Sequence, residues 1–468
     1  MKFDRAKEKF ITAQKNAPDD IKGYFYESLI HFYSAISSRD EGEYSEYIRK
    51  SNEVVTRCED ILDKDENNIE ALYYKGQSHS YQSLLMLSLN KSLMKAAWNG
   101  NDGYRLLSLV IEKNPGFYDA YMGLGLYKIA IGYVPEKFKW LLSIIGFDGN
   151  VSDGKRLLQT SEQNGKFTKI ESKVYLSLFS LKELEEDNGE SESLLKELSD
   201  KYPESPLFRS FYANILLQTG KPDLAVQNAL TSLEMNKHSL QKEISKGAHY
   251  VLGMAYFRKN DFKNAAFHLE EHLKYVHKED RYNISTFHAG IAFELLGNRE
   301  KALSFYGRAR TDFNEERDGE AEKLFYQYSK KLISKPINEF DSLILTAMNN
   351  RYSSKPEEAL QILNNVLVSD RFTNLSDDDK IRLYMETGHS YTYSKKDDLA
   401  IDYFTRCTKL KPETEKWMIP HAYFELGKIY SRQGNTRKTE EMFDKIDDYD
   451  DFELKSFLEI RLKSYKVK

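Results

Sequence analysis

The sequence predicts an all-α protein, a right-handed superhelical solenoid of antiparallel helix pairs. Three features of the sequence support this fold class. Small residues recur at a fixed spacing, apolar residues follow three-to-four-residue intervals, and no segment sustains the two-residue alternation of a β-strand. Aromatic residues make up 13% of the 468 residues and include 32 Tyr, and such large rigid side chains suit the packing of helix against helix.

A glycine followed twelve residues later by an alanine occurs three times (265−253, 302−290 and 400−388), and a fourth copy begins at Gly427. The glycine lets a first helix approach its neighbour closely, because no side chain separates the two backbones. The alanine is the small contact residue of the second helix, and an aromatic residue three positions after the glycine fills the adjoining space. The predicted repeat-packing residues are Gly253, Tyr256, Ala265, Gly290, Ala302, Gly388, Tyr391, Ala400, Gly427 and Tyr430.

Short polar turns are expected between the helices of each pair, at residues 258–261, 296–299, 394–397 and 433–435. Asn, Gly and Asp tolerate the dihedral angles of such turns. A degenerate copy, with Ala347, Ala359 and Leu363 in the corresponding places, lies in the gap before Gly388, and an extra helix is expected at 319–334. This spacing and turn chemistry resembles the tetratricopeptide repeat, which stacks helix pairs so that each buries its apolar face against its neighbours.

Residues 1–165 depart from the repeat and are expected to form a helical N-terminal region that opens with half a repeat, whereas residues 166–468 carry the array. Within the front region we expect helices from Ile21 to Ser37, from Glu43 to Asp63 and from Asn68 to Trp98. The last of these is long for a globular helix and is rich in leucine.

A distinctive block lies within 117–158. It contains Asp119–Ala120–Tyr121, Leu124–Gly125–Leu126–Tyr127, Val134–Pro135, Leu141–Leu142, Ile145–Gly146–Phe147–Asp148–Gly149, Gly154 and Leu157–Leu158. This block resembles the tetratricopeptide repeat protein 39 family, which includes fungal inclusion-body-clearance proteins. The resemblance implies an all-helical repeat fold without an established enzymatic activity. It also links the chain to a family whose eukaryotic members are associated with mitochondria, lipid droplets and protein-aggregate clearance.

Charge and composition argue against several classes of function. The net charge is −5, the sequence pI is about 6.1, and no stripe of Lys and Arg is present, so we expect no nucleic-acid partner. His268 and His272 share a helical face, but Leu269 stands where a zinc peptidase helix has its Glu, so we expect no metal and no other cofactor. The cluster that comes nearest to such a basic stripe consists of Arg461, Lys463, Lys466 and Lys468, and we expect it to be the solvated end of a helix.

The start of the sequence and its cysteines bear on the cellular compartment. Met1–Asp4 runs straight into charged amphipathic sequence without an apolar stretch and cleavage site, so we expect a cytoplasmic protein, exported only if a signal peptide precedes the numbering. Cys58 and Cys407 are too few for a disulfide framework, and Cys407 falls at a packing position of a second helix.

The first helices of stacked pairs form an inner, concave wall, where we expect a protein or peptide partner to bind. Resemblance to other tetratricopeptide arrays implies contacts from Tyr250, Met254, Phe257, Arg258, Phe287, Ile291, Met385, His389, Phe424 and Lys428. This mixture of aromatic and charged residues suits an extended peptide or a helix with apolar anchors. Ordinary packing between repeats is the competing interpretation of each residue. The Lys–Asn clamp of chaperone-tail-binding members is missing from this wall.

We therefore expect a non-enzymatic scaffold that binds a protein segment in the concave groove. The alternative is a peripheral membrane or lipid-surface adaptor that docks through the apolar block near 138–147, where Lys139 and Trp140 adjoin leucines and isoleucines. Burial between two packed helices is the competing interpretation of that block. A hydrolase hidden in the front region is a third hypothesis, but no nucleophile–base pair is visible in the sequence.

Overall fold

The computed structural model describes residues 3–132, 149–180, 189–237, 242–276, 282–311, 313, 319–450 and 452–466. Every regular element within these residues is helical, so the predicted all-α solenoid of helix pairs is confirmed. The chain divides into two compact units, unit 1 with residues 1–215 and 232–244 and unit 2 with residues 216–231 and 245–468. The predicted boundary near residue 165, which concerned the start of the repeat pattern, stays a prediction.

The helices of unit 1 are α1 (Phe3–Asn16), α2 (Ile21–Ser38), α3 (Glu41–Leu62), α4 (Ile69–Ser88), α5 (Leu93–Lys113), α6 (Ala120–Gly132), α7 (Val151–Asn164), α8 (Lys169–Ser180) and α9 (Glu190–Lys201). Three helices contain residues of both units: α10 (Pro206–Gln218), α11 (Pro222–Asn236) and α12 (Lys242–Arg258). Consecutive helices of unit 1 pack on each other from α1 to α9.

The helices that lie wholly in unit 2 are α13 (Phe262–Leu273), α14 (Tyr282–Leu295), α15 (Arg299–Thr311), α16 (Glu320–Ser334), α17 (Glu339–Tyr352), α18 (Pro356–Leu367), α19 (Asp377–Tyr393), α20 (Asp397–Cys407), α21 (Met418–Arg432), α22 (Thr436–Asp444) and α23 (Lys455–Lys466). A short 3₁₀ helix, Asp370–Asn374, precedes α19.

The predicted single helix from Asn68 to Trp98 is wrong, because the chain turns between α4 and α5. Asn90 adopts a left-handed conformation with a φ of 51°, which an asparagine tolerates better than most residues. Ser92 then caps α5 by accepting a hydrogen bond from the backbone N of Lys95. The turn folds α5 back onto α4, where a Cβ on Gly76 would lie only 3.0 Å from Cγ of Leu107.

The distinctive block of the sequence begins with a buried carboxylate that ties α6 to α8. Oδ1 of Asp119 accepts hydrogen bonds from the backbone N of Phe167 and from the backbone N and Oγ1 of Thr168, at 2.8 to 3.0 Å. The apolar piece 138–147 lies in residues 133–148, outside the described residues. Among the helices that the structure does describe, none combines the length and the hydropathy needed to cross a membrane.

Unit 2 is built from stacked helix pairs. α19 packs on α17 and α18, α21 packs on α19 and α20, and α23 then packs on α21. Each turn inside a pair contains one residue in the left-handed region, where glycine is favoured but other residues are used as well. These residues are Asn260, Gly297, Ser354, Lys395 and Gly434, with φ between 56° and 77°.

Helix α16 stands where the extra helix was expected. It packs on α14 and α15, just as α19 packs on α17 and α18. Only residues 335–338 separate it from α17, which opens the next pair, so α16 has no second helix of its own.

Candidate functional site

The motif glycines lie at the closest contacts between the helices of unit 2. Each faces the bulky residue sixteen positions later: Gly253 faces Leu269, Gly290 faces Tyr306, Gly388 faces Phe404 and Gly427 faces Phe443 (269−253, 306−290, 404−388 and 443−427). The motif alanines, Ala265, Ala302 and Ala400, are completely buried. Any larger residue at the glycines would force the two backbones apart, which explains the spacing seen in the sequence.

The aromatic residue three positions after each glycine packs on the second helix of its own pair. The ring centroids of Tyr256 and His268 lie 5.6 Å apart, and those of Tyr391 and Tyr403 lie 5.5 Å apart. Tyr430 contacts the ammonium group of Lys438, 4.7 Å from the ring centroid. These contacts use one face of each first helix and leave another face for the inner wall.

We define the inner wall as the ten residues predicted to contact a peptide. Six of them are between 0 and 9% exposed, and they are Met254, Phe257, Phe287, Ile291, Met385 and Phe424. The other four are partly exposed, and they are Tyr250, Arg258, His389 and Lys428. The surface that the inner wall offers to another molecule is therefore mostly polar, and peptide binding by these residues stays a prediction.

The aromatic part of the inner wall is covered by the chain itself. The ring of Phe257 lies 4.9 Å from that of His288, and the ring of Phe287 lies 5.1 Å from that of Phe325 in α16. Burial lowers the pKa of His288 to about 4, so its imidazole is neutral at physiological pH. A neutral ring edge packs against these aromatic faces without leaving a buried charge.

A buried ion pair joins two neighbouring first helices. Nε and Nη2 of Arg351 donate to the two carboxylate oxygens of Glu386 at 2.6 and 2.9 Å, and both residues are less than 10% exposed. Burial disfavours the charged guanidinium, but the charge and hydrogen bonds of Glu386, together with Tyr352 and Tyr393, outweigh it and raise the pKa of Arg351. The guanidinium also lies over the rings of Tyr352 and Tyr393, with the nearer centroid at 4.2 Å. The pair fixes α17 against α19.

A second charged group lies on α21. Nζ of Lys428 contacts the Glu425 carboxylate at 3.0 Å, and the Arg461 guanidinium lies 4.5 Å from the ring centroid of Phe424. The prediction that Arg461 belongs to a solvated helix end is wrong, because α23 packs back on α21 and leaves that side chain only 23% exposed. Burial lowers the pKa of Arg461 to about 10.

The histidines considered for metal binding have other contacts. Nδ1 of His268 lies 3.0 Å from Nδ1 of His249, whereas Nδ1 of His272 lies 2.9 Å from the carbonyl oxygen of Lys246. In the residues that the structure covers, no three His, Cys, Asp or Glu side chains come together in a way that would hold a metal ion.

Sequence reasoning missed the acidic partners of this wall. Glu386 and Glu425 each stand two residues before a motif glycine (388−2 and 427−2), and that repetition was a signal in the sequence. The aromatic residues of α16 that cover Phe287 had no comparable signal, because their contact depends on how the chain folds back.

Comparison with known proteins finds a family that part of the chain resembles. Residues 117–325 match the model of Iml2/tetratricopeptide repeat protein 39, and the match begins where the distinctive block begins. Residues 381–414, which include most of α19 and all of α20, match a tetratricopeptide repeat. No curated protein sequence matches the chain.

Among solved structures, yeast Tom70 is 12% identical with a TM-score of 0.32, and the alignment covers 96% of each chain. A monomeric mutant of IFIT1 with Gppp-AAAA is also 12% identical, with a TM-score of 0.30 and coverage of 95% of this chain and 76% of that one. The two family-model matches and the glycine contacts together show that the chain is a protein of the tetratricopeptide repeat superfamily that resembles the Iml2/tetratricopeptide repeat protein 39 family.

Proposed function

We propose that the protein is a non-enzymatic scaffold that binds a protein or peptide segment along the inner wall of unit 2. Its tetratricopeptide repeats indicate a protein-interaction scaffold in general terms. The observation that supports this proposal is the placement of partly exposed aromatic and polar side chains on three of the first helices. Tyr250 and Arg258 lie on α12, His389 lies on α19 and Lys428 lies on α21.

This arrangement favours a segment that combines an apolar anchor with a carboxylate. The apolar group packs beside Tyr250, whose ring lies 5.3 Å from that of His272. The carboxylate lies near Lys428, which is 15% exposed at its side chain and already borders Glu425. Lys428 and Arg461 both border the single carboxylate of Glu425, at 3.0 and 4.0 Å, so this group keeps one net positive charge that attracts an anion.

The test is a pull-down with wild-type protein and the double variant Tyr250→Ala/Lys428→Ala. These positions are chosen because they are partly exposed, whereas a charged residue at fully buried Phe424 would destabilise the fold itself. The matched control is Lys263→Ala/Phe267→Ala, which removes an exposed lysine and an exposed aromatic residue from α13. We expect loss of at least about tenfold in partner recovery for the first pair alone. Equal recovery with both variants, at unchanged circular dichroism, would refute binding at the inner wall.

A further inference from the structure

Helix α16 is buried in unit 2 far less deeply than α14, the repeat helix on which it packs. Ser329 is its one buried residue, whereas ten of the fourteen residues of α14 are buried. The large apolar side chains of α16 are all only partly buried, and they are Leu324, Phe325, Tyr326, Tyr328, Leu332 and Ile333. Because the hydrophobic free energy scales with the apolar area removed from water, α16 is held less strongly than α14.

The contact that α16 does make is aromatic. The ring of Phe325 lies 5.1 Å from that of Phe287 and 5.6 Å from that of His288, and the ring of Tyr328 lies 6.4 Å from that of Phe287. Phe287 belongs to the inner wall, so α16 covers part of the surface at which we propose that partners bind. An aromatic pair on one helix that inserts against an aromatic surface is a common mode of helix recognition.

Polar contacts hold α16 at three further points. The backbone N of Ser456, in the first turn of α23, donates to both carboxylate oxygens of Glu320 at 3.1 and 3.2 Å. The dipole of α23 favours an anion at this end of the helix. Oη of Tyr328 donates to Oε2 of Glu415 at 2.7 Å. Nη2 of Arg299 donates to the carbonyl oxygens of Leu332 and Ile333 at 2.7 and 3.1 Å. Water can replace these bonds once α16 leaves the surface, so their net contribution is smaller than their strength in isolation.

The helices on either side of α16 do not depend on it for their position. Nδ2 of Asn349 in α17 donates to the carbonyl oxygen of Phe257 at 2.9 Å and to Oδ1 of Asn260 at 2.8 Å. Oγ of Ser353 donates to the carbonyl oxygen of Arg258 at 3.0 Å. α15 packs on α14 as the second helix of its pair. Release of α16 therefore leaves the repeats before and after it in place.

We propose that α16 is an intramolecular occupant of a helix-binding surface, and that the partner is an amphipathic helix that displaces it. This proposal rests on the proposed function and specifies its partner and its regulation. The chemistry of the displaced helix describes the partner: an acidic residue, an aromatic residue five positions later, a second aromatic three positions after that and a leucine four positions further on (325−320, 328−325 and 332−328). The partner binds only the fraction of molecules from which α16 has dissociated, so the contact is autoinhibitory.

The test uses a fluorescein-labelled peptide with the sequence of residues 319–337 and three full-length proteins. The first is wild type, and the second is Phe325→Asp/Leu332→Asp, which weakens the apolar contact of α16. The third is the matched control Lys323→Asp/Lys330→Asp, which changes the exposed face of the same helix. If α16 is dissociated in about 1 to 10% of wild-type molecules, the peptide binds the second protein about 10- to 100-fold more tightly than the other two. A peptide that carries Phe325→Asp binds none of them.

Equal peptide affinity for all three proteins would overturn the proposal. Absence of peptide binding to Phe325→Asp/Leu332→Asp would overturn it as well, if the circular dichroism of that variant is the same as that of wild type. If that variant does not fold, wild type decides the matter by hydrogen exchange. Excess peptide then accelerates exchange of α16 amides and leaves α14 unchanged, whereas unchanged exchange of α16 overturns the proposal. Equal partner recovery with Tyr250→Ala/Lys428→Ala and with its control refutes the proposed function without affecting these peptide results.

Discussion

Replacement of Gly388 by alanine tests the physical cause of the repeat. A Cβ at this position would lie 2.6, 2.8 and 2.8 Å from three ring carbons of Phe404, well inside the roughly 3.5–4.0 Å of an ordinary carbon–carbon contact. Phe404 is completely buried and its ring lies 5.2 Å from that of His389, so the ring can move away from a new methyl group only by displacing its neighbours. To admit one methyl group, either these neighbours shift or α19 and α20 separate.

Two opposing terms set the size of the effect. Alanine favours a helix over glycine by about 1 kcal/mol, which stabilises the variant. An extra methyl group in a well-packed contact costs about 1–3 kcal/mol, and the three short distances at Gly388 place the cost in the upper half of that range. We expect a net loss of about 1–2 kcal/mol in the free energy of unfolding.

Gly307 provides the matched control for this substitution. It lies inside α15, and a Cβ built there meets no atom within 4 Å, so Gly307→Ala is expected to stabilise the protein by about 0.5–1 kcal/mol. Urea unfolding followed by far-UV circular dichroism measures both variants, and hydrogen exchange over residues 377–407 locates the effect of Gly388→Ala. A Gly388→Ala protein at least as stable as wild type would refute the close-contact explanation of the motif.

Three further predictions concern buried polar groups. Glu386→Gln leaves Arg351 without its charged partner and is expected to lower the free energy of unfolding in urea by about 3–5 kcal/mol. The control Asp402→Asn, in an exposed ion pair, is expected to lower it by at most about 1 kcal/mol. Equal losses would contradict this prediction. Burial raises the pKa of Cys58 to about 12, so its reaction with a thiol reagent should be slow in folded protein and fast in urea, and fast labelling without urea would disprove its burial. Burial lowers the pKa of His421 to about 4, so the unfolded state takes up a proton before the folded state does as the pH falls from 6.5 to 4. Wild type therefore loses about 2–3 kcal/mol of stability over this range, and that contribution is fully present above pH 6.5. His421→Phe is expected to lack that component of the pH dependence in unfolding curves measured from pH 4 to 8, and an unchanged pH profile would contradict the assignment.

The helix pairs were predictable because their cause is local. Gly388 and Ala400 must be small for two adjacent helices to touch, and only one short turn separates them, so the requirement appears directly as sequence spacing. The break between α4 and α5 was missed because Asn90 and Ser92 turn the chain without glycine or proline. Asn and Ser also occur in many segments where the chain does not turn, so these two residues alone do not predict a turn.

The burial of the inner wall was not predictable in the same way. Phe287 is covered by Phe325, which lies 38 residues later (325−287), and Arg351 is paired with Glu386, 35 residues later. These contacts depend on where α16 and α17 lie after the chain has folded, and residue spacing carries no information about that. The sequence therefore indicated which helix faces are functional candidates but not which of them remain accessible.

Hydrogen exchange of the wild-type protein without any partner tests most directly whether unit 2 holds a stable repeat array with a weakly held occupant. Amides of α14, where ten of fourteen residues are buried, are expected to exchange at least about tenfold more slowly than those of α16, where only Ser329 is buried. The same experiment should show α17 as protected as α14, because its end is anchored on the α12–α13 turn. Protection of α16 equal to that of α14 would contradict the account, since a helix that opens only when the whole unit unfolds cannot give way to a partner.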